Sequence, residues 1–180
     1  MTSNIFDPEP YLNPEYQHLD KYVDIMYKAG WTPAKYQKLI KEQDAPHFFN
    51  EMGNVDQVAI KRCILAAATV EDKVKTFWCM LSSDIPQTVV GDVGGVFGQS
   101  EVTHRRSYHS LLENLEIDLN EINEHKELSD RIKYLNKHIQ TDPKIIGKKR
   151  ILKKLVLFTA LVERASLFTQ FYILMSYAKH

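Results

Sequence analysis

Glu101, His104 and Tyr108 lie within one apolar-rich stretch that is predicted to be helical. Because Glu101 and His104 are three residues apart, a helix places both side chains on one face, where they can reach a single metal ion. Tyr108 follows His104 by one turn on the same face. Taken alone, His104 would more often be a core histidine and Tyr108 a packing residue. A carboxylate, an imidazole and a phenol on one stripe together indicate a metal site with a redox-active neighbour.

Glu71 and Glu163 are acids that the helical pattern turns towards the protein interior. An ionised carboxylate in such a place costs several kcal/mol unless it is paired or bound to a cation. Arg164 follows Glu163 directly but points to another side of the helix, so it is a poor partner. For Glu71 the alternative is a surface position with an ion pair to Lys75, four residues later. The predicted face of Glu163 carries Val156, Thr159, Ala160, Leu167 and Phe171.

Three carboxylates and one histidine from three core helices form an oxygen-rich ligand set that suits iron or manganese. The matching architecture is the ferritin-like bundle, in which two helices give one Glu each and two others give a Glu-x-x-His each. Glu71 and Glu163 correspond to the single acids, and Glu101 with His104 to the first Glu-x-x-His. No second Glu-x-x-His stands at a suitable place in the 180 residues.

The bulk composition is that of a globular protein with a sizeable core. The 23 basic and 23 acidic residues cancel, so no overall field favours nucleic acid or a membrane surface. Cys63 and Cys79 lack a C-x-x-C spacing and are predicted to be buried thiols in a reducing compartment. The first residues have no secretory signal pattern. We therefore expect a cytoplasmic protein, in a bacterium or a phage-infected host cell, that binds neither nucleic acid nor membrane.

The periodicity predicts an all-α protein, with residues 1–15 as an extended arm and residues 16–180 as a partial ferritin-like bundle. Thr32 is the predicted N-cap of a short helix, and residues 42–54 are predicted to form a loop. The glycines between residues 91 and 98 indicate close helix packing or a local distortion. The basic run at residues 144–154 is interpreted as a solvated helix start, with an anion site as the alternative. Helices are predicted at about residues 15–28, 33–41, 56–81, 87–115, 120–140 and 151–177.

The sequence resembles the small, radical-generating subunit of class I ribonucleotide reductase. Three stretches carry the resemblance, in matching order and with similar spacing: residues 70–78, 100–108 and 162–165. The Ser-Glu-Val-x-His-x-x-x-Tyr pattern from Ser100 to Tyr108 is the most specific of them. The resemblance extends from about Pro14 onward and covers about the first half of the usual subunit.

The resemblance implies roles for individual residues. Glu71, Glu101, His104 and Glu163 would be ligands of a di-iron (Fe-O-Fe) centre, or of a manganese or mixed manganese–iron centre. Tyr108 would carry the stable radical formed when the reduced centre activates oxygen. Trp31, in Gly-Trp-Thr-Pro, would relay the electron between this site and the large subunit, although a tryptophan at a helix junction is usually a packing residue. Leu167 and Phe171 would line the apolar pocket around the radical.

Two departures from the family pattern affect the expectations. The first ligand is Asp in the best-known members, so Glu71 resembles the variants that use Glu and leaves the metal open. The second Glu-x-x-His and the tail that docks on the large subunit are both missing. We therefore expect a split subunit, in which a complementary C-terminal chain supplies them. The large subunit and a second small subunit are the other expected partners.

Three other interpretations stay open at this stage. A ferritin-like oxidase or hydroxylase would use the same ligands with an inert or modified Tyr108. An iron-storage or metal-sensing protein would complete its site by self-assembly. An accessory half-subunit would fold with its partner and carry no chemistry. The tyrosine one turn from His104, together with Trp31, favours ribonucleotide reduction over storage.

Overall fold

The computed structural model describes residues 4–8, 13–139 and 147–177, and within these ranges the secondary structure is helical, without strands. This agrees with the predicted all-α class. The α-helices are α1 Lys21–Ala29, α2 Ala34–Leu39, α3 Ala45–Asn50, α4 Asn54–Cys79, α5 Leu81–Asp84, α6 Thr88–Asn114, α7 Lys126–Ile139, α8 Lys148–Val156 and α9 Phe168–Ser176. Short 3-10 helices cover Gln17–Leu19 and Leu119–Glu124, and π-helical segments cover Ile40–Asp44 and Leu157–Leu167.

Helices α4 and α6 form the centre of the fold and make its most extensive contact. Gly94 and Gly98 allow their close approach, since both are buried in α6 against the end of α4. A Cβ on Gly94 would lie 2.6 Å from the Trp78 carbonyl oxygen, and one on Gly98 would lie 2.6 Å from Cys79 Sγ. Of the two explanations for these glycines, the structure supports close packing.

A methyl group at Gly94 is therefore expected to destabilise the protein, whereas one at Gly95 is not. Gly94→Ala overpacks a contact with rigid backbone and should lower the free energy of unfolding by about 1–3 kcal/mol. Gly95→Ala is the matched control, because its Cβ would meet nothing within 4 Å and alanine favours the helix by about 0.5–1 kcal/mol. Urea unfolding of both variants measures the difference. Equal effects of the two substitutions would contradict this packing.

The C-terminal helical segment is continuous from α8 to α9, but the π-helical stretch Leu157–Leu167 interrupts its regular period. Phe158 inside this stretch is fully buried and stacks on Phe77 of α4, with ring centroids 4.7 Å apart. The predicted inward face of Glu163 is wrong in part, because Val156 is 59% exposed and Ala160 is also exposed. A π turn contains more residues than an α turn, so the side chains that follow it point in other directions than a regular 3.6-residue period predicts.

Two local predictions in the first half of the chain are also wrong. Thr32 does not cap α2, since Pro33 is the N-cap residue and no side chain makes the capping bond. The expected loop at residues 42–54 is helical to Asn50, because a π-helical segment, Ile40–Asp44, joins α2 to α3. Pro46 falls in the first turn of α3, directly after this π-helical segment.

The basic run at residues 144–154, which is predicted to be a solvated helix start, contains a buried lysine. Lys148 and Lys153 are exposed as predicted, but Lys154 is buried and paired with Asp84 of α5. Lys144 lies outside the described residues. This ion pair joins the C-terminal segment to the turn between α4 and α6. Within the described ranges, no helix has the length and apolar content needed to cross a membrane.

The predicted N-terminal arm is described in part. Ile5 and Phe6 pack against the core, and the buried side chain of Gln87 donates a hydrogen bond of 2.9 Å to the Asp7 carbonyl oxygen. Of the two cysteines predicted to be buried thiols, Cys63 is buried and Cys79 is exposed, and both are free.

Candidate metal centre

Glu71, Glu101 and His104 converge between α4 and α6, and one donor atom of each lies within 4.8 Å of the others. His104 Nδ1 is 2.9 Å from Glu101 Oε2 and 3.7 Å from Glu71 Oε2. The side chains of Glu71 and Glu101 are 1% and 5% exposed, whereas that of His104 is 34% exposed. The two helices thus place two buried acids and one imidazole around a common point. These three residues are called the triad below.

Burial and mutual interaction shift the pKa values of two triad residues, Glu101 and His104. Burial raises the pKa of Glu101 to about 8, and the neighbouring Glu71 adds to this shift while the hydrogen bond with His104 opposes it. Burial lowers the pKa of His104, but the hydrogen bond with Glu101 and the negative charges of Glu101 and Glu71 outweigh that effect and raise it to about 10. Glu71 Oε2 is buried, lies 3.7 Å from His104 Nδ1 and has no hydrogen-bond partner among the described residues. A divalent metal ion would satisfy this oxygen and displace the proton on His104.

Tyr108 is buried one turn beyond His104 on α6 and belongs to the main hydrophobic core. Burial, followed by the negative charges of Glu71 and Glu101, raises the pKa of its phenol above the ordinary value. The hydroxyl therefore keeps its proton at neutral pH. Leu167, which is buried, and Phe171, which is partly buried, belong to the same core.

Glu163 lies near the triad but outside it. It is partly buried, and its Oε1 accepts a hydrogen bond of 2.9 Å from the indole N–H of Trp78. Burial raises the pKa of Glu163; the bond from Trp78 opposes this shift, and the charge of Glu101 adds to it. Glu163, the fourth predicted ligand, therefore lies close enough to Glu101 for their charges to interact. Its carboxylate is held by the indole of Trp78.

Trp78 has a functional contact that the sequence analysis did not assign. It stands seven residues after Glu71, two turns along the same face of α4, and this spacing is the signal that could have found it. Its partner Glu163 is 85 positions away in the chain. Because the pairing depends on the packing of the C-terminal segment, the spacing alone could not identify the acid that Trp78 holds.

Trp78→Phe is expected to raise the pKa of Glu163, because the substitution removes the indole N–H that stabilises its ionised form. It should also lower the free energy of unfolding by about 1.5–3 kcal/mol at neutral pH, as for a bond to a charged group. A carbon-13 NMR titration of glutamate-labelled protein measures the shift, with Glu163→Gln assigning the signal. Trp31→Phe is the control and should leave this titration unchanged. An unchanged Glu163 titration in Trp78→Phe would contradict the assignment.

Trp31 lies on the outer side of the triad. Its ring stacks on that of His104 with centroids 6.1 Å apart and an interplanar angle of 30°, and it packs edge-on against Tyr36 at 5.2 Å. The side chain is partly exposed. Trp31 therefore connects the imidazole of the triad with the surface of the described chain.

An all-helical fold with a buried cluster of Glu, Glu and His between its central helices defines the class of ferritin-like carboxylate proteins. Within that class, residues 10–180 match the family described as "Ribonucleotide reductase, small chain". The chain belongs to this family. A search of curated proteins finds no match to the chain.

Proposed function

We propose that the chain is a component of the radical-generating small subunit of class I ribonucleotide reductase. The observation that carries the proposal is the convergence of Glu71, Glu101 and His104, with Tyr108 buried one turn further along α6. Carboxylates and an imidazole suit iron and manganese, so a di-iron, manganese or mixed manganese–iron centre is consistent with the donors. When bound, such a centre supplies, with oxygen, the oxidant for Tyr108.

Glu163 is proposed as the fourth ligand of this part of the centre. The charges of Glu101 and His104 act on its carboxylate, which accepts a hydrogen bond from Trp78. Breaking the bond from Trp78 would allow Glu163 to turn towards a cation bound by the triad. The proposed role of Trp78 is to hold the acid until then.

Tyr108 is the proposed radical residue and Trp31 the proposed electron relay. The buried phenol stays protonated, so its oxidation removes an electron and a proton together, and burial limits the access of reductants to the oxidised ring. Trp31 is suited to electron transfer because it contacts His104 and is itself partly exposed. The large subunit, where the ribonucleotide is reduced, is the proposed acceptor of this pathway.

The ligands of the second metal are proposed to come from outside these 180 residues, either from a separate chain or from a continuation of this one. The family bundle uses a second Glu-x-x-His, and no described core helix provides one. The C-terminal segment exposes an apolar face that further helices could cover. This face comprises Leu152, Val156, Leu161, Phe168, Tyr172 and Met175. The proposed enzyme is completed when this chain assembles with the polypeptide that supplies the second Glu-x-x-His, with a second small subunit and with the large subunit.

The test is electron paramagnetic resonance of the chain reconstituted with a polypeptide that carries the proposed second Glu-x-x-His, after loading with Fe(II) or Mn(II) and exposure to oxygen. A tyrosyl signal is expected. Tyr108→Phe should remove the signal and leave the metal content unchanged, while Tyr134→Phe, which alters an exposed tyrosine, should change neither. A radical that persists in Tyr108→Phe would refute the role of this tyrosine. Two bound metals and a radical in the chain alone would refute the need for outside ligands.

A further inference from the structure

A cavity of about 440 Å³ lies between the end of α1 and one face of α6, directly outside the triad. The α6 wall is formed by Val96, Gln99, Ser100, Thr103 and His104, and the opposite wall by Met26, Tyr27, Ala29, Gly30 and Trp31. Neither Glu71 nor Glu101 lines it. His104 is therefore the one triad residue that faces both the metal-binding point and this cavity.

The imidazole of His104 separates the two spaces. Its Nδ1 is directed at Glu101 and Glu71, while its Nε2 lies 3.5 Å from the hydroxyl oxygen of Ser100, which lines the cavity. His104 is 34% exposed, whereas the two acids are 5% exposed or less. Among the three triad residues, His104 is thus the one with substantial exposure to solvent, and both carboxylates lie behind it.

The lining of the cavity favours the passage of a cation. None of the ten lining residues is lysine or arginine, and Gln99, Ser100 and Thr103 contribute neutral side-chain oxygens. The last turn of α1 also borders the cavity, and the C-terminus of a helix carries a partial negative charge. Lys28 belongs to that turn but does not line the cavity. A hydrated divalent ion would meet oxygens and aromatic faces here, and no lysine or arginine.

We propose that this cavity is the entry vestibule through which a divalent metal ion reaches the triad, with the ring of His104 as its gate. Trp31 supports the gate from the outer side by stacking on the imidazole. The ion would pass when the ring turns away from Glu101 and would then be bound by Nδ1 together with the two carboxylates. The inference rests on the proposed metal-binding function and adds the route by which the metal arrives.

Blocking an entry route and removing a metal ligand have different effects on metal binding. Blocking the only path slows binding and release by the same factor, so the equilibrium Kd does not change. Loss of a ligand, in contrast, raises the Kd. Ala29→Phe and Gln99→Phe place a large side chain on each wall of the cavity without altering a triad residue. Val55→Phe is the control, because Val55 is 82% exposed and lies outside the cavity.

Stopped-flow fluorescence with Co(II) tests the proposal on the full chain. The two tryptophans report on binding, since Trp31 stacks on His104 and Trp78 contacts Glu163. Ala29→Phe and Gln99→Phe should each slow the binding and the release of Co(II) by about tenfold or more at an unchanged Kd, while Val55→Phe behaves like the unsubstituted chain. Circular dichroism checks that each variant is folded.

Two results would overturn the proposed vestibule. The first leaves the proposed metal-binding function intact, and the second overturns that function as well. Normal binding and release rates in both cavity variants, with saturable Co(II) binding intact, would show that metal enters elsewhere and leave the proposed function standing. Absence of saturable Co(II) binding to the unsubstituted chain would overturn the vestibule and the metal-binding function together.

Discussion

Replacing Glu71 with glutamine is expected to abolish metal-induced stabilisation and, at the same time, to stabilise the metal-free chain. Glu71 is 1% exposed, and its Oε2 has no hydrogen-bond partner within the described residues. The imidazole of His104, 3.7 Å away, offsets the buried charge only in part, so this charge is unfavourable until a metal ion binds. In the unsubstituted chain, Mn(II) at 100 times its Kd should add about 2.7 kcal/mol to the free energy of unfolding. Loss of a supporting residue alone weakens metal binding about 10–100-fold, so loss of a ligand should weaken it at least about 100-fold.

Thermal unfolding with and without Mn(II), together with equilibrium dialysis, measures both effects. Glu101→Gln should also weaken Mn(II) binding, but it should not stabilise the metal-free chain, because Glu101 Oε2 is already paired with His104 Nδ1 at 2.9 Å. Glu113→Gln is the matched control on α6, since this acid is 66% exposed and pairs with the exposed His109. It should change neither the Kd nor the stability appreciably. A Glu71→Gln variant that loses stability without metal would show that the acid has a structural role instead.

The second large effect is expected at Lys154, whose replacement by methionine should lower the free energy of unfolding by about 3–5 kcal/mol. Lys154 and Asp84 are 2% and 5% exposed and form an ion pair between α8 and α5. Neither Lys154 Nζ nor Asp84 Oδ2 has another hydrogen-bond partner in the described part of the chain. Lys154→Met therefore leaves the charge of Asp84 buried and uncompensated. The neighbouring Lys153 is exposed, so Lys153→Met should change stability by no more than about 0.5 kcal/mol.

The double variant Lys154→Met/Asp84→Leu separates the cost of an unpaired charge from the value of the pair. Replacing both partners by apolar residues is often neutral or stabilising by about 1–4 kcal/mol, so the double variant should recover most of the lost stability. Urea unfolding of the two single variants and the double variant completes the cycle. A double variant as unstable as Lys154→Met would show that the pair itself, rather than the orphaned charge, determines stability.

The helices and the members of the triad were accessible from sequence because their signals are local. The period of apolar residues located α4 and α6 to within two residues at each end. The three-residue spacing of Glu101 and His104 requires one face of a helix wherever that helix packs. Glu71 was recognisable because its helical neighbours are apolar, and it is indeed among the most buried residues. These inferences use only the geometry within a single helix.

The environment of Glu163 was only partly accessible from sequence. The apolar pattern identified it as an unusual acid, but a regular period predicted the wrong neighbours on its face. The π-helical stretch Leu157–Leu167 accompanies the burial of Phe158 against Phe77, a contact between residues 81 positions apart (158 − 77). No local pattern reveals such a change of phase, because it follows from packing against another helix.

The sequence by itself determined the all-helical class, the family and the side chains able to hold a metal beside a tyrosine. All of these follow from residue types and from spacings of a few positions. Only the tertiary structure decided that Glu163 is held by Trp78, that Lys154 is buried against Asp84 and that a cavity opens outside His104. Each of these joins segments distant in the chain, and the approach of such segments depends on the packing of the whole core.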